Sequence, residues 1–322
     1  MNTAVSVLIP AYNAENSILP AVWSALNQAF SSFEVLVYVD GATDKTIDFV
    51  AAIEDPKLKV FAEGERKGIV HARNRLLEKA SGKYIAWLDA DDIMLPGRLH
   101  AQFDYLENHP DISLLAGWAQ LRNSELQTVQ LGGVRPFLET LLLFRNPFIQ
   151  SSIMARNFFA VEGFWFDPEF EYTEDYDMYL RCLQAGKGFG VLQEPVVSYY
   201  MPSATEADQK QSRYALNSKL LMLMLRTHPF LAEQEAAVIL SFLRNNNALE
   251  KPATAIIRRF LTLVKKTLKQ EKRYSSGAAA ALLYQQFRFV RASRGWFYAG
   301  IWLLGKKPAL WLLLRKNRPV YR

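Results

Sequence analysis

Short apolar runs alternate with helical patterns along the first 117 residues, and this alternation is the strongest constraint on the fold. The first run, residues 5–9, ends at Pro10, as is typical of a buried strand in a parallel sheet. Neighbouring parallel strands need a crossover, which is usually a helix. The rhythm therefore predicts an α/β fold with a mostly parallel central sheet flanked by helices. The predicted strands are residues 5–9, 34–39, 57–62, 84–88 and 112–117, and the predicted helices are residues 15–29, a stretch capped by Thr43 or Asp44, residues 68–80 and a stretch from Pro96.

The pattern changes twice beyond this region. Between residues 120 and 200 it becomes less regular, which indicates that the sheet turns mixed. Beyond about residue 205 the strand-like runs fade and long helical patterns dominate. We therefore expect an α/β domain over residues 1–205, with halves of about 1–117 and 118–205, and a helical region over residues 206–322.

The charge of the chain is divided between these two regions. The net charge is +6, to which residues 1–205 contribute −10 and residues 206–322 contribute +16. The acidic first region argues against nucleic acid as a partner, whereas the basic region needs an anionic partner or a solvated surface. The single cysteine, Cys182, excludes an intramolecular disulfide framework and fits a reducing compartment. We expect no secretory signal, because the chain enters a strand-like run almost at once.

Three carboxylates follow the predicted strand at residues 84–88, in the sequence Asp89-Ala90-Asp91-Asp92. Carboxylates this close repel one another unless a cation or hydrogen-bond donors compensate. Mg²⁺ or Mn²⁺ would suit, because these ions prefer oxygen ligands and complete their coordination with water and substrate phosphates. The alternative is an acidic turn in which Asp92 caps the next helix.

Two more polar segments are expected at the same edge of the sheet, where ligands of such folds bind. Gly68 precedes a helix that carries Arg73, and both helix N-termini and arginine side chains suit phosphate groups. Asp40, after the second strand, could accept a hydrogen bond from a base or a ribose. The alternative for the segment with Gly68 and Arg73 is an ordinary surface helix. The alternative for the segment with Asp40 is a plain turn between a strand and a helix.

A fourth acidic segment contains Glu174 and Asp175 at the predicted start of a helix. Capping accounts for at most one of these carboxylates. A carboxylate at this place, facing the open edge of the sheet, could act as a general base. The alternative is an acidic, capped helix terminus that the helix dipole stabilises.

Taken together, the order and spacing of these motifs resemble family 2 of the inverting nucleotide-sugar glycosyltransferases. This family has a GT-A fold, which is Rossmann-like with a mostly parallel sheet. The resemblance covers residue 6 to about residue 200. It is carried by Pro10-Ala11-Tyr12-Asn13, Asp40-Gly41 with Asp44, Ala72-Arg73-Asn74, Leu88-Asp89-Ala90-Asp91-Asp92 and Glu174-Asp175.

The resemblance implies a role for each motif. Asp175 would be the catalytic base that deprotonates the acceptor hydroxyl, and in-line attack would invert the anomeric configuration. Asp89 and Asp91 would bind Mn²⁺ or Mg²⁺, with Asp91 as the main metal ligand. The metal and an arginine would stabilise the departing diphosphate. Among the nucleotide contacts, Asp40 would face the base, normally uracil. The candidate acceptor contacts are Trp165 and Glu174. The implied nucleotide-sugar-binding residues are Pro10, Ala11, Tyr12, Asn13, Asp40, Gly68, Arg73, Asp89, Ala90 and Asp91.

Some positions depart from the family pattern. Val39 stands where the family usually has a first acidic residue, and Arg66 stands where an asparagine is common. After Tyr200, where the family often has an arginine and a histidine, the chain reads Met201-Pro202-Ser203. The sequence also lacks the Q-x-x-R-W signature of processive synthases, so we expect transfer of a single sugar. For Trp165 the alternative to an acceptor contact is simple core packing.

The expected activity is metal-dependent, inverting transfer of one sugar from a nucleotide-sugar, by preference a UDP-sugar. The acceptor would be a hydroxyl of a glycan or a lipid-linked glycan in bacterial cell-surface polysaccharide or lipopolysaccharide biosynthesis. The alternatives are a non-catalytic sugar-nucleotide-binding module and a nucleotidyltransferase. Nucleotidyltransferases often carry a glycine-rich, basic loop after the first strand, where this chain has Ala11-Tyr12-Asn13-Ala14-Glu15.

The basic C-terminal region has a pattern of its own. Residues 251–322 contain 17 lysines and arginines and one acidic residue, Glu271. Residues 253–273 predict an amphipathic helix, and the apolar stretches 296–304 and 309–314 are separated by lysines, which argues against a membrane span. Tryptophans beside basic clusters instead favour the lipid–water interface.

We therefore expect this region to dock on the anionic inner face of the cell membrane, which would make the protein cytoplasmic and peripheral. The alternative is a helical subdomain that packs on the catalytic domain or on a second subunit.

Overall fold

The computed structural model describes residues 3–122, 128–129, 138–139, 142, 146–200, 219, 222–223, 226 and 234. The chain forms two compact units, one of residues 1–132 and 148–210 and the other of residues 133–147 and 211–322. Every site residue predicted from the sequence belongs to the first unit. The predicted boundary near residue 205 and the predicted features of residues 251–322 lie outside the described residues.

Few residues of the second unit are described. Leu138, Leu142 and Leu223 are buried helical residues of this unit. Across the described part of the chain, every helix is too short or too polar to cross a membrane.

A nine-stranded sheet forms the centre of the first unit. Its order is β3-β2-β1-β4-β8-β6-β9-β5, and β7 pairs with β6 outside this path. The strands are β1 (Val5–Ala11), β2 (Phe33–Asp40), β3 (Leu58–Glu63), β4 (Tyr84–Trp87), β5 (Ile93–Met94), β6 (Leu114–Leu121), β7 (Thr128–Val129), β8 (Met154–Arg156) and β9 (Phe189–Tyr199). The α-helices are α1 (Ile18–Leu26), α2 (Thr46–Ala51), α3 (Ile69–Lys79), α4 (Arg98–Asn108), α5 (Phe159–Glu162) and α6 (Glu174–Gln184).

The first four long strands form the parallel half of the sheet. Val5 of β1 lies opposite Phe33 of β2 and Tyr84 of β4, and β3 continues the parallel arrangement beyond β2. All residues of β1, β2 and β4 are buried. This is why these strands read as continuous apolar runs, and the predicted α/β architecture is confirmed.

The second half of the sheet is mixed, as the less regular pattern predicted. β8 pairs antiparallel with β4 and β6, while β9 runs parallel to β6 and antiparallel to β5. The strand predicted at residues 112–117 begins later, at Leu114, and extends to Leu121. It therefore does not join the parallel half directly, because β8 separates it from β4.

Several helix boundaries and caps differ from the prediction. The helix predicted at residues 15–29 is shorter and covers Ile18–Leu26. The N-cap residue of α2 is Lys45 and not Thr43 or Asp44, although Asp44 Oδ1 accepts the Thr46 N–H of the first helical residue at 3.0 Å. Asp92 is not a helix cap, because α4 begins only at Arg98.

The carboxyl ends of the parallel strands meet at one edge of the sheet. β1 ends at Ala11, β2 at Asp40 and β4 at Trp87. The polar segments that follow these strands are therefore brought together, which is the usual place for ligands in open α/β sheets.

Candidate active site

A buried arginine, Arg73, links two acidic segments that are far apart in the sequence. Its Nη1 donates a hydrogen bond to Glu174 Oε1, and its Nη2 donates to Asp89 Oδ1 at 3.3 Å. Arg73 and Glu174 are each 5% exposed. The helix α3 is thereby bonded both to the segment after β4 and to the start of α6.

The environment of Arg73 keeps the guanidinium charged. Burial alone would lower its pKa, but the carboxylates of Glu174, Asp89 and Asp175 outweigh burial and raise it. The rings of Trp87 and Phe166 lie 5.9 and 5.6 Å from the guanidinium carbon. Two nitrogens of the buried guanidinium are thus bonded to carboxylates, and contact of Arg73 with the nucleotide stays a prediction.

Asp175 lies in the first turn of α6, directly after the glutamate that Arg73 holds. Its side chain is partly buried, and its Oδ1 accepts the Tyr176 N–H at 2.6 Å. Burial and the neighbouring Glu174 raise the pKa of Asp175 to about 6, although Arg73 opposes this. The group is therefore a stronger base than an exposed aspartate and still a carboxylate at neutral pH.

The acidic segment after β4 is fixed by contacts with two other elements. The Asp89 N–H donates to Ser151 Oγ at 2.9 Å, and the Tyr200 N–H donates to Asp92 Oδ1 at 2.7 Å. Burial and the Asp89 carboxylate raise the pKa of Asp92 to about 7. Asp91 lies at the exposed rim, yet desolvation by surrounding atoms and repulsion from Asp89 raise its pKa as well.

Asp89 and Asp91 fit a metal ion that is only partly bound by protein. No group of three or more potential metal ligands converges within the described part of the chain. Mg²⁺ and Mn²⁺ commonly take one or two carboxylates and complete their coordination with water and substrate phosphates. Burial is the main cause of the raised pKa values of Asp91 and Asp92, and the Asp89 carboxylate raises them further, so a cation would relieve repulsion here.

Asp40 makes contacts that differ from the expected one with a base. Its Oδ1 accepts the Lys67 N–H at 2.9 Å and its Oδ2 accepts the Gly68 N–H at 2.7 Å. The side chain is buried, with 2% of the residue exposed. Asp40 therefore holds the loop before α3, and contact with a nucleotide base stays a prediction.

Gly41 lets this loop approach the end of β2. Its φ is +60°, and a Cβ at this position would lie 2.2 Å from the Arg66 nitrogen. The close approach brings the Arg66 guanidinium over the Tyr12 ring, 4.1 Å from the ring centroid. Tyr12 is 39% exposed at the end of β1.

The other predicted nucleotide contacts lie at the same edge. Asn13 has a φ of 46°, and its Oδ1 accepts the Thr43 N–H at 2.8 Å. Pro10 and Ala11 are buried in β1, whereas Ala90 is partly exposed beside the acidic residues. The contacts of these four residues with a nucleotide-sugar stay predictions.

On the acceptor side, Trp165 is partly buried and its carbonyl oxygen accepts a hydrogen bond from Arg181 Nη2 at 2.7 Å. Its contact with an acceptor stays a prediction. Glu174 has one carboxylate oxygen bonded to Arg73 and a second, buried oxygen, Oε2, that has no partner among the described residues.

Sequence reasoning missed a second buried arginine, Arg98. It is 1% exposed and donates to the carbonyl oxygens of Trp87, Ser151 and Ile153 at 2.6–3.1 Å. Burial lowers the pKa of Arg98 to about 9, against the attraction of Asp92. In the sequence it follows Pro96-Gly97 and reads as an exposed helix start, so local pattern gave no sign of its burial.

Removing Arg73 should destabilise the fold strongly. Arg73→Ala leaves two buried or partly buried carboxylates without their cation, and we expect a loss of about 3–5 kcal/mol in the free energy of unfolding. Glu78→Ala on the same helix removes only the half-exposed pair with Arg75 and should cost less than about 1 kcal/mol. Urea unfolding followed by circular dichroism measures both, and equal losses would contradict the linking role of Arg73.

Comparison with known sequences identifies the family. A sequence profile described as "Glycosyl transferase family 2" matches residues 6–165. An uncharacterized glycosyltransferase of Haemophilus influenzae is 31% identical over 189 residues, which are 57% of this chain and 73% of that protein. Escherichia coli WfgD, described as a UDP-Glc:alpha-D-GlcNAc-diphosphoundecaprenol beta-1,3-glucosyltransferase, is 35% identical over 120 residues, which are 37% of this chain and 47% of that protein.

Two solved structures share the fold. S. aureus TarS 1-349 in complex with UDP-GlcNAc superposes with a TM-score of 0.57 at 18% identity, covering 99% of this chain and 93% of that one. Mannosyltransferase PcManGT from Pyrobaculum calidifontis, in complex with GDP-Man and Mn2+, gives a TM-score of 0.54 at 18% identity, covering 82% and 81%. These structures confirm the GT-A fold, and with the sequence matches they show that the chain is a glycosyltransferase that belongs to family 2.

Proposed function

We propose that this glycosyltransferase transfers one sugar from a UDP-sugar to a hydroxyl of a lipid-linked glycan, with inversion and with a divalent metal ion. The observation that carries the proposal is the bonding of Glu174 and Asp89 to one buried arginine, Arg73. This contact brings the residue with the raised pKa, Asp175, into the same cluster as the carboxylates that follow β4.

The reaction needs a base on one side of the sugar and charge stabilisation on the other. Asp175 takes the proton of the acceptor hydroxyl, and the resulting oxygen attacks the anomeric carbon. The bond from this carbon to the diphosphate oxygen breaks, and the nucleoside diphosphate leaves from the opposite face. A Mn²⁺ or Mg²⁺ ion held by Asp89 and Asp91 would supply positive charge to the leaving diphosphate.

The second oxygen of Glu174 supports a place for the acceptor. Glu174 Oε2 is buried and has no partner among the described residues, whereas Oε1 is held by Arg73. A hydroxyl that approaches Asp175 can donate to such an oxygen, and this would satisfy a buried acceptor.

Two relatives support the choice of substrates. WfgD is described as using UDP-Glc and a diphosphoundecaprenol-linked acceptor, and TarS was solved with UDP-GlcNAc. PcManGT was solved with GDP-Man, so a GDP-sugar is the second candidate donor. The basic residues of the C-terminal region suit a lipid-linked acceptor, because they favour an anionic membrane surface.

Replacing the base tests the reaction directly. Asp175→Asn should reduce transfer by about 10²–10⁴-fold because the amide cannot accept a proton, while UDP affinity stays within about twofold. Asp104→Asn, an exposed carboxylate on α4, is the matched control and should retain activity. Transfer by Asp175→Asn within threefold of the wild type would rule out this base.

In the wild type, the transfer rate should fall as the pH drops through about 6, where Asp175 becomes protonated.

The metal requirement is tested by binding as well as by activity. UDP should bind the wild type more tightly with Mn²⁺ than with EDTA, because an ion held by Asp91 would supply positive charge to the diphosphate. Asp91→Asn should lose this difference, whereas Asp104→Asn should keep it. Calorimetric titration with UDP measures both conditions. Equal UDP affinity and equal turnover of the wild type with Mn²⁺ and with EDTA would contradict a metal-dependent reaction.

Membrane docking is tested with the full-length chain. The protein should sediment with anionic vesicles of phosphatidylglycerol and much less with phosphatidylcholine vesicles, and added salt should weaken the binding. Lys265→Glu with Lys266→Glu, in the amphipathic segment predicted over residues 253–273, should reduce sedimentation. Lys45→Glu with Lys79→Glu changes the net charge equally in the first unit and should have little effect. Similar reductions by the two pairs would count against docking through the C-terminal region.

A further inference from the structure

Gln150 lies between the two acidic parts of the site. It begins a 3₁₀ turn, Gln150–Ser152, and the next residue, Ser151, accepts the Asp89 N–H. The Gln150 Oε1 accepts a hydrogen bond from the Tyr179 hydroxyl of α6. Tyr179 follows Asp175 by four residues and therefore lies on the same face of this helix. Gln150 is thus joined through Ser151 to the segment of Asp89, and through Tyr179 to the helix that carries Asp175.

The electrostatic surroundings of Tyr179 agree with this position. Burial raises the pKa of the Tyr179 hydroxyl, and the Asp175 and Asp89 carboxylates raise it further, while Arg73 lowers it. The hydroxyl that holds Gln150 is therefore close enough to be influenced by both carboxylates and by the arginine that joins their segments.

The amide nitrogen of Gln150 is a buried donor without a partner. The residue is 6% exposed, and no acceptor among the described residues lies within hydrogen-bond distance of Nε2. Leaving a buried donor unpaired costs free energy, and such groups are rare in folded proteins. A ligand that supplies an acceptor would recover this cost.

The orientation of the amide is fixed. The Tyr179 hydroxyl holds Oε1, and the Tyr179 ring packs edge-on against Phe148 and Phe189, with centroid distances of 5.5 and 6.3 Å. Because the oxygen is committed to Tyr179, the NH₂ group points away from that hydroxyl. The hydrogen-bond donor Nε2 is thus oriented before any ligand binds.

We infer that Gln150 Nε2 donates a hydrogen bond to a hydroxyl oxygen of a sugar ring bound between Asp89 and Asp175. A sugar hydroxyl both donates and accepts. The carboxylates around it, Asp89, Glu174 and Asp175, can only accept, and Nη1 and Nη2 of Arg73 are already bonded to two of them. Gln150 supplies the complementary donor, and it would help to decide which sugar is accepted. The inference rests on the proposed function, and the sugar is either the transferred one or the acceptor.

The decisive variant removes the whole polar pair. Gln150→Met with Tyr179→Phe leaves no buried polar group unpaired, and replacing both partners by apolar groups is usually close to neutral for stability. If the pair only supports the fold, the double variant should therefore keep its selectivity among sugars. If Gln150 contacts a sugar, the double variant should stay folded and lose selectivity.

A second buried glutamine provides the control. Gln28 is also 6% exposed, but its amide is paired at both ends, with Nε2 donating to the Ser24 and Leu95 carbonyl oxygens and Oε1 accepting the Leu99 N–H. Gln28→Met should lower the melting temperature and leave sugar selectivity unchanged. Tyr179→Phe alone should give an intermediate loss of selectivity, because the amide remains but is no longer oriented.

The donor arm of the experiment uses UDP, UDP-glucose, UDP-GlcNAc and the 3-, 4- and 6-deoxy forms of UDP-glucose. The wild type should bind one parent sugar nucleotide about tenfold more tightly than its deoxy analogue, and the double variant should bind both equally while UDP affinity is unchanged. The acceptor arm measures KM for octyl glycosides with free hydroxyls and for their deoxy forms. A change confined to this arm assigns the contact to the acceptor sugar.

Unchanged selectivity of the double variant in both arms would overturn the inference and leave the glycosyltransferase function intact. A wild type that binds neither UDP nor any UDP-sugar would instead refute the proposed donor, and the inference would fail with it. If the melting temperature of the double variant falls by as much as that of Gln28→Met, the Gln150–Tyr179 pair is structural.

Discussion

The Arg73 guanidinium is the contact on which the site depends. It joins Asp89, which is 16 residues away in the sequence, to Glu174, which is 101 residues away. A buried arginine is costly to desolvate, and its two carboxylates compensate only while both stay within bonding distance. The donor-side carboxylates and the helix of the base therefore cannot separate without leaving a buried charge unpaired. The cluster is fixed by the same electrostatics that makes it chemically useful.

The turn at residues 150–152 reinforces this arrangement through separate contacts. Ser151 bonds to the backbone of Asp89, and Gln150 bonds to Tyr179 on the helix of Asp175. Arg98 holds the turn itself, because it donates to the Ser151 carbonyl oxygen and to that of Trp87 at the end of β4. Donor-side and base-side elements are thus connected twice, once through a salt bridge and once through neutral hydrogen bonds. A site held in this way needs little reorganisation when charge develops in the reaction.

The sequence predicted the parts of this site that depend on local pattern and missed those that depend on packing. The apolar runs predicted β1, β2 and β4 because strands buried on both faces are largely apolar, and the acidic motifs stood out by their order and spacing. The sequence around Arg73 does not reveal that its side chain is buried against a glutamate 101 residues away. The sequence around Asp40 does not reveal that its carboxylate accepts hydrogen bonds from two backbone amides. Gln150 was equally hidden, since an amide in an apolar stretch becomes informative only when its partners are known.

The charge balance of the cluster explains why a divalent ion suits this site. Among the described residues, five carboxylates come together: Asp89, Asp91, Asp92, Glu174 and Asp175. Three arginines act on them: Arg73, Arg98 and Arg122. Burial raises the pKa values of Asp91, Asp92 and Asp175, and repulsion from neighbouring carboxylates raises them further. A diphosphate would add further negative charge, so we expect the proposed donor to bind more tightly together with a cation. Because Arg73 stands between Asp89 and Glu174, it partly screens the charge of Asp89 from Asp175, and the two proposed functions can coexist in one small cluster.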